Sequence, residues 1–237
     1  GETYEAINQS EQDDFFEFFP EYKFKSTTWY SFVNEHYGKI VSDKIQFNTV
    51  VSEIDYSGDD VLVTTTNGDI FQADKVLVTV SIGVLKSGDI TFIPTLNAQK
   101  IEAFESVEFL QGMKVVMKFS EKFYPDAIDI EVDSGERGYY DMAFKKDTND
   151  HILGFLTTGP SEPYSTLTRN EDILDTALKE LDTIFDGKAT DTFTGDYQVE
   201  NWGTRPYTQG TWVQGFQIKK STLKVLNQPL EHKVYFA

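Results

Sequence analysis

The 237-residue chain contains no cysteine. This excludes disulfides, thiolate metal sites, cysteine nucleophiles and a cysteinyl link to a cofactor within it. Histidine is nearly as scarce: His36, His151 and His232 stand far apart without metal-ligand spacing, so they read as surface or core imidazoles and no metal is expected. No apolar run approaches the roughly 20 residues of a spanning helix, and the acidic opening GETYEAINQSEQDD is unlike a signal peptide. The expectation is a soluble protein with no membrane partner, in a compartment that cytoplasmic and secreted readings leave open. Basic residues are outnumbered, 21 Lys and Arg against 39 Asp and Glu, for a formal net charge of −18. A phosphate backbone would be repelled, so nucleic acid is not an expected partner. A field of that sign could draw in cationic amines, although acidic surfaces more often serve only solubility. The sequence also lacks a G-x-G-x-x-G, a Walker loop, a nucleophile elbow, internal repeats and low-complexity tracts.

What is present suffices for a folded body: 39% of residues are hydrophobic and 14% aromatic. EQDDFFEFFPEY, at residues 11–22, mixes acids with aromatics and is expected to be irregular or partly helical before Pro20. The sequon Asn8-Gln9-Ser10 would matter only in a secreted protein. Residues 29–40, with Phe32, Tyr37 and Ile40, suit a short helix, and IQFNTVVSEIDY reads as a strand. Ser57-Gly58-Asp59-Asp60 supplies a turn, VLVTTT a second strand, Asn67-Gly68-Asp69 a hairpin turn, and KVLVTV a third strand of the same unit. Asn97 is placed to cap a helix reaching Val107, with Ile101, Phe104 and Val107 inward and Gln99, Lys100 and Glu102 toward water. GMKVVMKF is a strand whose Met113, Val115, Met117 and Phe119 share one face, and Lys114, Val116 and Lys118 the other. GYYDMAF and HILGFLTTG are further strands. Asn170 reads as the cap of a helix with an apolar stripe of Leu174, Leu178, Leu181 and Phe185, closed by Gly187, and TFTGDYQVENW follows as a strand. Strands and helices in this order specify a mixed α+β architecture.

Four segments resemble the flavin-containing amine oxidases, the family of polyamine oxidases, monoamine oxidases and related histone lysine demethylases. IQFNTVVSEI is similar to a family strand of type L-N-x-x-V-x-x-I. FQADKVLVTVSIGVLKSGDITFIP is similar to A-D-x-V-I-x-T-x-P-L-G-V-L-K followed by I-x-F-x-P, with Ser81 in place of the usual proline. FLQGMKVVMKFSEKFY resembles G-x-x-x-K-V-x-x-x-F-x-x-x-F-W, and NWGTRPYTQGTWV resembles W-x-x-D-P-x-x-x-G-S-Y with Arg205 at the aspartate position. Together they cover most of the chain.

The resemblance implies an α+β fold in which a mixed or antiparallel sheet carries the substrate domain, with remnants of an FAD-binding domain. Residues 1–43 would be an acidic, aromatic segment with a short helix, 44–92 partial FAD-domain strands, 93–215 the substrate domain, and 216–237 a return to the FAD domain. It implies Lys114 as the catalytic lysine that holds a water near the flavin, and Val51, Thr79, Val80, Trp202 and Thr211 as cofactor contacts. Trp212 and Tyr207 would contact the substrate amine. Thr211 stands where monoamine oxidases carry the cysteine bonded to FAD, so FAD would be noncovalent. The residues taken alone allow other readings: a core valine at 51, a solvated lysine at 114, and two tryptophans that pack a sheet. The family's N-terminal Gly-rich motif and C-terminal Gly-Glu motif are not in the sequence, so the chain is expected to be a fragment, inactive alone, whose partner is the remainder of the FAD domain. Oxidation of a small cationic amine to an imine, with reduction of O2 to peroxide, is the implied reaction. A binding or structural module of the same fold without redox activity is the alternative.

Overall fold

The computed structural model describes residues 4–7, 24, 26–132, 136–159, 161–213 and 218–237. The segment EQDDFFEFFPEY and the sequon at Asn8 lie outside the described residues. In chain order the elements are β1 (Tyr4–Ile7), α1 (Trp29–His36), β2 (Val51–Asp55), β3 (Val61–Thr65), β4 (Ile70–Ala73), β5 (Val76–Val78), α2 (Ile82–Ser87), β6 (Thr91–Ile93), α3 (Ala98–Glu105) and β7 (Phe109–Leu110). They continue with β8 (Gly112–Phe119), β9 (Ala127–Ile130), β10 (Glu136–Asp141), β11 (His151–Thr158), α4 (Asn170–Ile184), α5 (Lys188–Thr192), β12 (Phe193–Asn201), β13 (Trp212–Val213), α6 (Lys220–Leu226) and β14 (Val234–Phe236). The chain forms two compact units, one from Gly1–Lys44 and Gln111–Asn201, the other from Ile45–Leu110 and Trp202–Ala237.

The first unit is a six-stranded antiparallel sheet in the order β1-β9-β10-β11-β8-β12, backed by α4 and α5. The expected alternation in β8 holds: Met113, Val115, Met117 and Phe119 are buried, and with Tyr139, Leu153, Phe155 and Val199 of neighbouring strands they form one face of the core. Helix α4 covers that face through Ile173, Leu174, Ala177 and Leu181, all buried. Each enclosed leucine or isoleucine contributes about 1.5–3 kcal/mol against the unfolded chain. The stripe is centred one position from the expected one, since Ile173 and Ala177 are fully enclosed while Leu178 and Phe185 pack at its margin. Arg169, not Asn170, holds the cap position, and no side chain caps this end. Glu171 and Asp172 in the first turn supply the favourable charge instead.

In the second unit β2, β3 and β4 form an antiparallel meander, and β6 adds to β2 in parallel, giving the order β4-β3-β2-β6. Two expectations are corrected here. The strand in IQFNTVVSEIDY begins only at Val51, because Asn48 takes a left-handed conformation (φ 55°) that breaks extension before it. The third strand of the meander is Ile70–Ala73, whereas KVLVTV contributes β5, which pairs in parallel with the distant β14. Within β5, Val76 and Val78 face the core of this unit and Leu77 between them is exposed, so the run is covered on one side only.

Helix α3 starts as expected, the Asn97 side chain accepting the Lys100 N–H at 2.9 Å. Lys100 does not face water. It is 2% exposed, and its Nζ donates to the carbonyls of Val225, Leu226 and Gln228 at 3.0, 2.7 and 2.8 Å. It thereby fills the acceptor positions at the C-terminal end of α6, where a cation also meets the negative end of the helix dipole.

Candidate functional site

Side chains on one face of the first unit's sheet form its core, so the opposite face is left for residues whose packing the fold does not require. Lys114 lies there, exposed, near the start of β8. Its register partners are Leu156 on β11 and Glu200 on β12, and residues paired across strands share a face. The Lys114 Nζ stands 5.8 Å from the centre of the Tyr140 ring, within cation–π range. That ring crosses over Gly154: a Cβ there would meet Tyr140 Cζ at 2.8 Å and Met142 Sδ at 3.0 Å, so glycine is needed for the tyrosine to lie on the sheet. Gln198 donates from Nε2 to Glu200 Oε1 at 3.1 Å. The next lysine on this face, Lys118, is held differently. The carboxylate of Asp150, 2.9 Å away, accepts its hydrogen bond and raises its pKa.

A buried polar group ties the sheet to α4. Arg137 Nη2 lies 3.2 Å from Glu180 Oε2, Tyr139 donates its hydroxyl to Glu180 Oε1 at 2.7 Å, and Arg137 Nη1 donates to the Glu162 carbonyl at 2.7 Å. Burial, reinforced by neighbouring Tyr164 and Glu180, pushes the Tyr139 hydroxyl well above its ordinary pKa and keeps it a donor. Held between strand and helix, this network fixes β10, the strand that carries Tyr140.

The second unit brings two of the recognised segments into contact. Ser81 precedes α2, accepts the Val84 N–H at 3.3 Å and donates its own hydroxyl to the Thr208 carbonyl. Two residues on, Gly83 packs so closely that a Cβ would stand 2.5 Å from the Gln209 carbonyl oxygen. The loop opposite them begins in a 3-10 turn at Trp202–Thr204 and is closed by the Gly210 N–H, which donates to the Trp202 carbonyl at 3.2 Å. Thr211 then donates both its N–H and its hydroxyl to the Leu110 carbonyl, at 2.9 and 3.0 Å, leading into the β13–β7 pair. The serine at the position of the usual proline is thus satisfied on both sides, an exchange of a rigid residue for two hydrogen bonds.

Of the expected site residues, Lys114 falls in the first unit and Val51, Thr79, Val80, Trp202, Tyr207, Thr211 and Trp212 in the second. Val51 and Val80 are half-buried against one shared core cluster, and Thr79 is exposed beside Val80. Trp202 is half-buried with the Arg205 guanidinium 5.8 Å from its ring, whereas Trp212 and Tyr207 are 52% and 69% exposed. Aliphatic contacts and open aromatic faces of this kind suit a flat heteroaromatic ring. A diphosphate finds no glycine-rich turn in the sequence to receive it. Sequence reasoning missed Tyr140, Gly154 and Glu200, which only strand register places around Lys114, and the contact of Ser81 with Thr208, whose partners are 127 residues apart. Among the described residues no group of His, Asp and Glu could hold a metal ion, and no helix is long and apolar enough to cross a membrane.

Comparison with known proteins identifies the family of the chain. A family model described as flavin containing amine oxidoreductase matches residues 30–237. The chain is 31% identical over 208 residues to polyamine oxidase 1 of Zea mays, covering 84% of this chain and 41% of that protein. It is 27% identical over 202 residues to the lysine-specific histone demethylase 1B of Mus musculus, covering 81% of this chain and 24% of the relative. Among solved structures, cyclohexylamine oxidase from Brevibacterium oxydans IH-35A has a similar fold at a TM-score of 0.61 and 15% identity, and a triple mutant of putrescine oxidase at 0.64 and 14%. Each covers 84% of this chain, which spans 44% of either structure. The chain thus spans less than half the length of each of these four proteins.

Proposed function

The chain belongs to the flavin-containing amine oxidoreductase family, and from that premise we propose that the protein carrying it oxidises a small amine to an imine with noncovalently bound FAD. The unit holding Val51, Thr79, Val80, Trp202 and Thr211 is the flavin side. The pairing of β5 with β14, which joins residues 44–92 to 216–237, supports assigning both segments to it. The sheet that carries Lys114 is the substrate side. When bound, FAD accepts a hydride equivalent from the carbon next to an uncharged amine and passes the electrons to O2, giving peroxide.

The observation that carries this reading is the recurrence of the family segments on the elements that suit them, with Lys114 on an open sheet face and no core role to explain it. Lys114 holds a water through Nζ, Trp202 packs against the ring system, and Trp212 and Tyr207 orient the amine with their exposed faces. Water then hydrolyses the released imine. Thr211, committed through its hydroxyl to the Leu110 carbonyl, carries no thiol for a covalent link. Full-length protein is expected to be yellow as purified, to lose that colour when an amine is added without oxygen, and to release all flavin on acid precipitation. Colour retained in the pellet would refute noncovalent binding. A colourless protein that still binds amines would favour the second reading, a non-redox binding module, which the guanidinium of Arg205 beside Trp202 favours.

A further inference from the structure

We propose that Gln209 is a positioning residue for amine oxidation, its side-chain amide tying the loop from Trp202 to Trp212 to Asp89 and so holding both tryptophans in place for the flavin and the amine. The inference rests on the flavin reading of these tryptophans. Between the 3-10 turn at Trp202–Thr204 and β13 the loop has no helix or strand, and Tyr207 and Trp212 are exposed, so burial does little to hold it. Side-chain hydrogen bonds hold it instead. Gln209 Nε2 carries two hydrogens and donates both, one to the Pro206 carbonyl at 3.0 Å within the loop and one to Asp89 Oδ2 at 2.7 Å outside it. The second bond has a charged acceptor, which makes it the stronger of the two. Asp89 is itself fixed: it follows Gly88, which ends α2 in the left-handed conformation (φ 75°), and its N–H donates to the Ser87 hydroxyl at 3.3 Å.

Gln209 takes a left-handed conformation (φ 52°), one that glycine or asparagine adopts more readily. Its contacts hold it there. The Gln209 N–H donates to the Arg205 carbonyl at 2.9 Å, and a Cβ added to Gly83 would stand 2.5 Å from the Gln209 carbonyl oxygen and 2.9 Å from its Cβ. On the other side, a Cβ added to Gly210 would stand 2.4 Å from the Phe109 ring. The centre of the loop is therefore close-packed against α2 and β7. A displacement of Gln209 passes through Gly210, whose N–H holds the Trp202 carbonyl, and through Thr211, bound to the Leu110 carbonyl, to Trp212. An amide supplies neither proton nor nucleophile to amine oxidation, so Gln209 acts on the reaction through the two tryptophans.

The test compares full-length Gln209→Met, which keeps the length and removes the amide, Asp89→Ala, which removes the acceptor, and the two together. Hydrogen exchange over residues 202–212 reads the anchor, visible circular dichroism of the bound flavin reads its aromatic surroundings, and stopped-flow absorbance reads amine-driven reduction per bound flavin. Gln209→Met is expected to speed exchange and slow reduction by at least about tenfold each, with altered flavin dichroism, and Asp89→Ala to do the same by at least about threefold. The double variant is expected to match Gln209→Met within about twofold, because the shared bond is lost only once. Asp89 is exposed, so its variant decides the matter alone if Gln209→Met does not fold. Faster exchange with unaltered dichroism and reduction would leave Gln209 a structural residue only and overturn the proposal, as would additive effects or single variants that change nothing. Absence of amine-driven bleaching in the unaltered protein removes the oxidase reading and with it this role, whereas bleaching that the variants leave unchanged removes only the role of Gln209.

Discussion

Replacing Lys100 by methionine tests how much of the second unit depends on one buried cation. The ammonium makes three hydrogen bonds to carbonyls at the end of α6 and stands 3.9 Å from the centre of the Phe236 ring. Three bonds to a charged donor, at about 1.5 kcal/mol each, give about 4–5 kcal/mol. Against this stands the cost of enclosing the charge: burial lowers the pKa from 10.5 to about 8, about 3 kcal/mol by the usual conversion. Methionine retains most of the stem's packing but leaves three carbonyls without a donor, so a net loss of about 1–3 kcal/mol at pH 7 is expected. The sign of the pH dependence follows. Between about 8 and 10.5 the unfolded chain keeps the proton that the folded chain has released, so Lys100 makes stability rise with pH in that window, by up to about 1.4 kcal/mol per unit, and contributes no slope below it. Urea denaturation of both proteins at pH 7 and 9.5, followed by circular dichroism, reads the difference. A variant as stable as the unaltered protein, with a gap that does not grow with pH, would refute the reasoning.

Other outcomes can be stated briefly. Ser81→Ala removes a helix cap and the bond to the Thr208 carbonyl, and is expected to cost about 1–2 kcal/mol in denaturant unfolding. Arg137→Met leaves Glu180 charged and enclosed, so a loss of about 3–5 kcal/mol is expected, and a shift under about 1 kcal/mol would show that water reaches the pair. Gly154→Ala is expected to displace the Tyr140 ring, which a loss of the nuclear Overhauser contacts between that ring and Lys114 would report, while unchanged contacts would contradict the packing.

Local pattern carried much of the first unit. Alternation in GMKVVMKF fixes which side chains enter the core, because a strand's period of two leaves a single way to bury Met113, Val115, Met117 and Phe119 together. The Asn97 cap was legible for a similar reason, as its bond to Lys100 spans three residues. Long-range pairing was not. KVLVTV resembles any apolar strand, and nothing within it indicates that its partner is β14 rather than the adjacent meander. Lys100 looked solvent-facing because the carbonyls that justify its burial come from residues 125–128 positions later. The same limit applies to the candidate site: Lys114 emerged from a family segment, but Glu200, Tyr140 and Gly154 join it only through β8–β12 and β10–β11 register.

The central claim, that Lys114 serves amine oxidation, is tested most directly by stopped-flow flavin absorbance on full-length Lys114→Met and Lys118→Met proteins. Methionine preserves length and removes charge and hydrogen bonding at both positions. Lys118 is the control on the same strand face, held by Asp150. The account predicts that Lys114→Met slows amine-driven reduction or reoxidation by at least about tenfold, about 1.4 kcal/mol of barrier, with Lys118→Met near the unaltered rate. Equal, unaltered rates for both variants in both half-reactions would contradict it and leave Lys114 a solvated lysine on the face of a sheet.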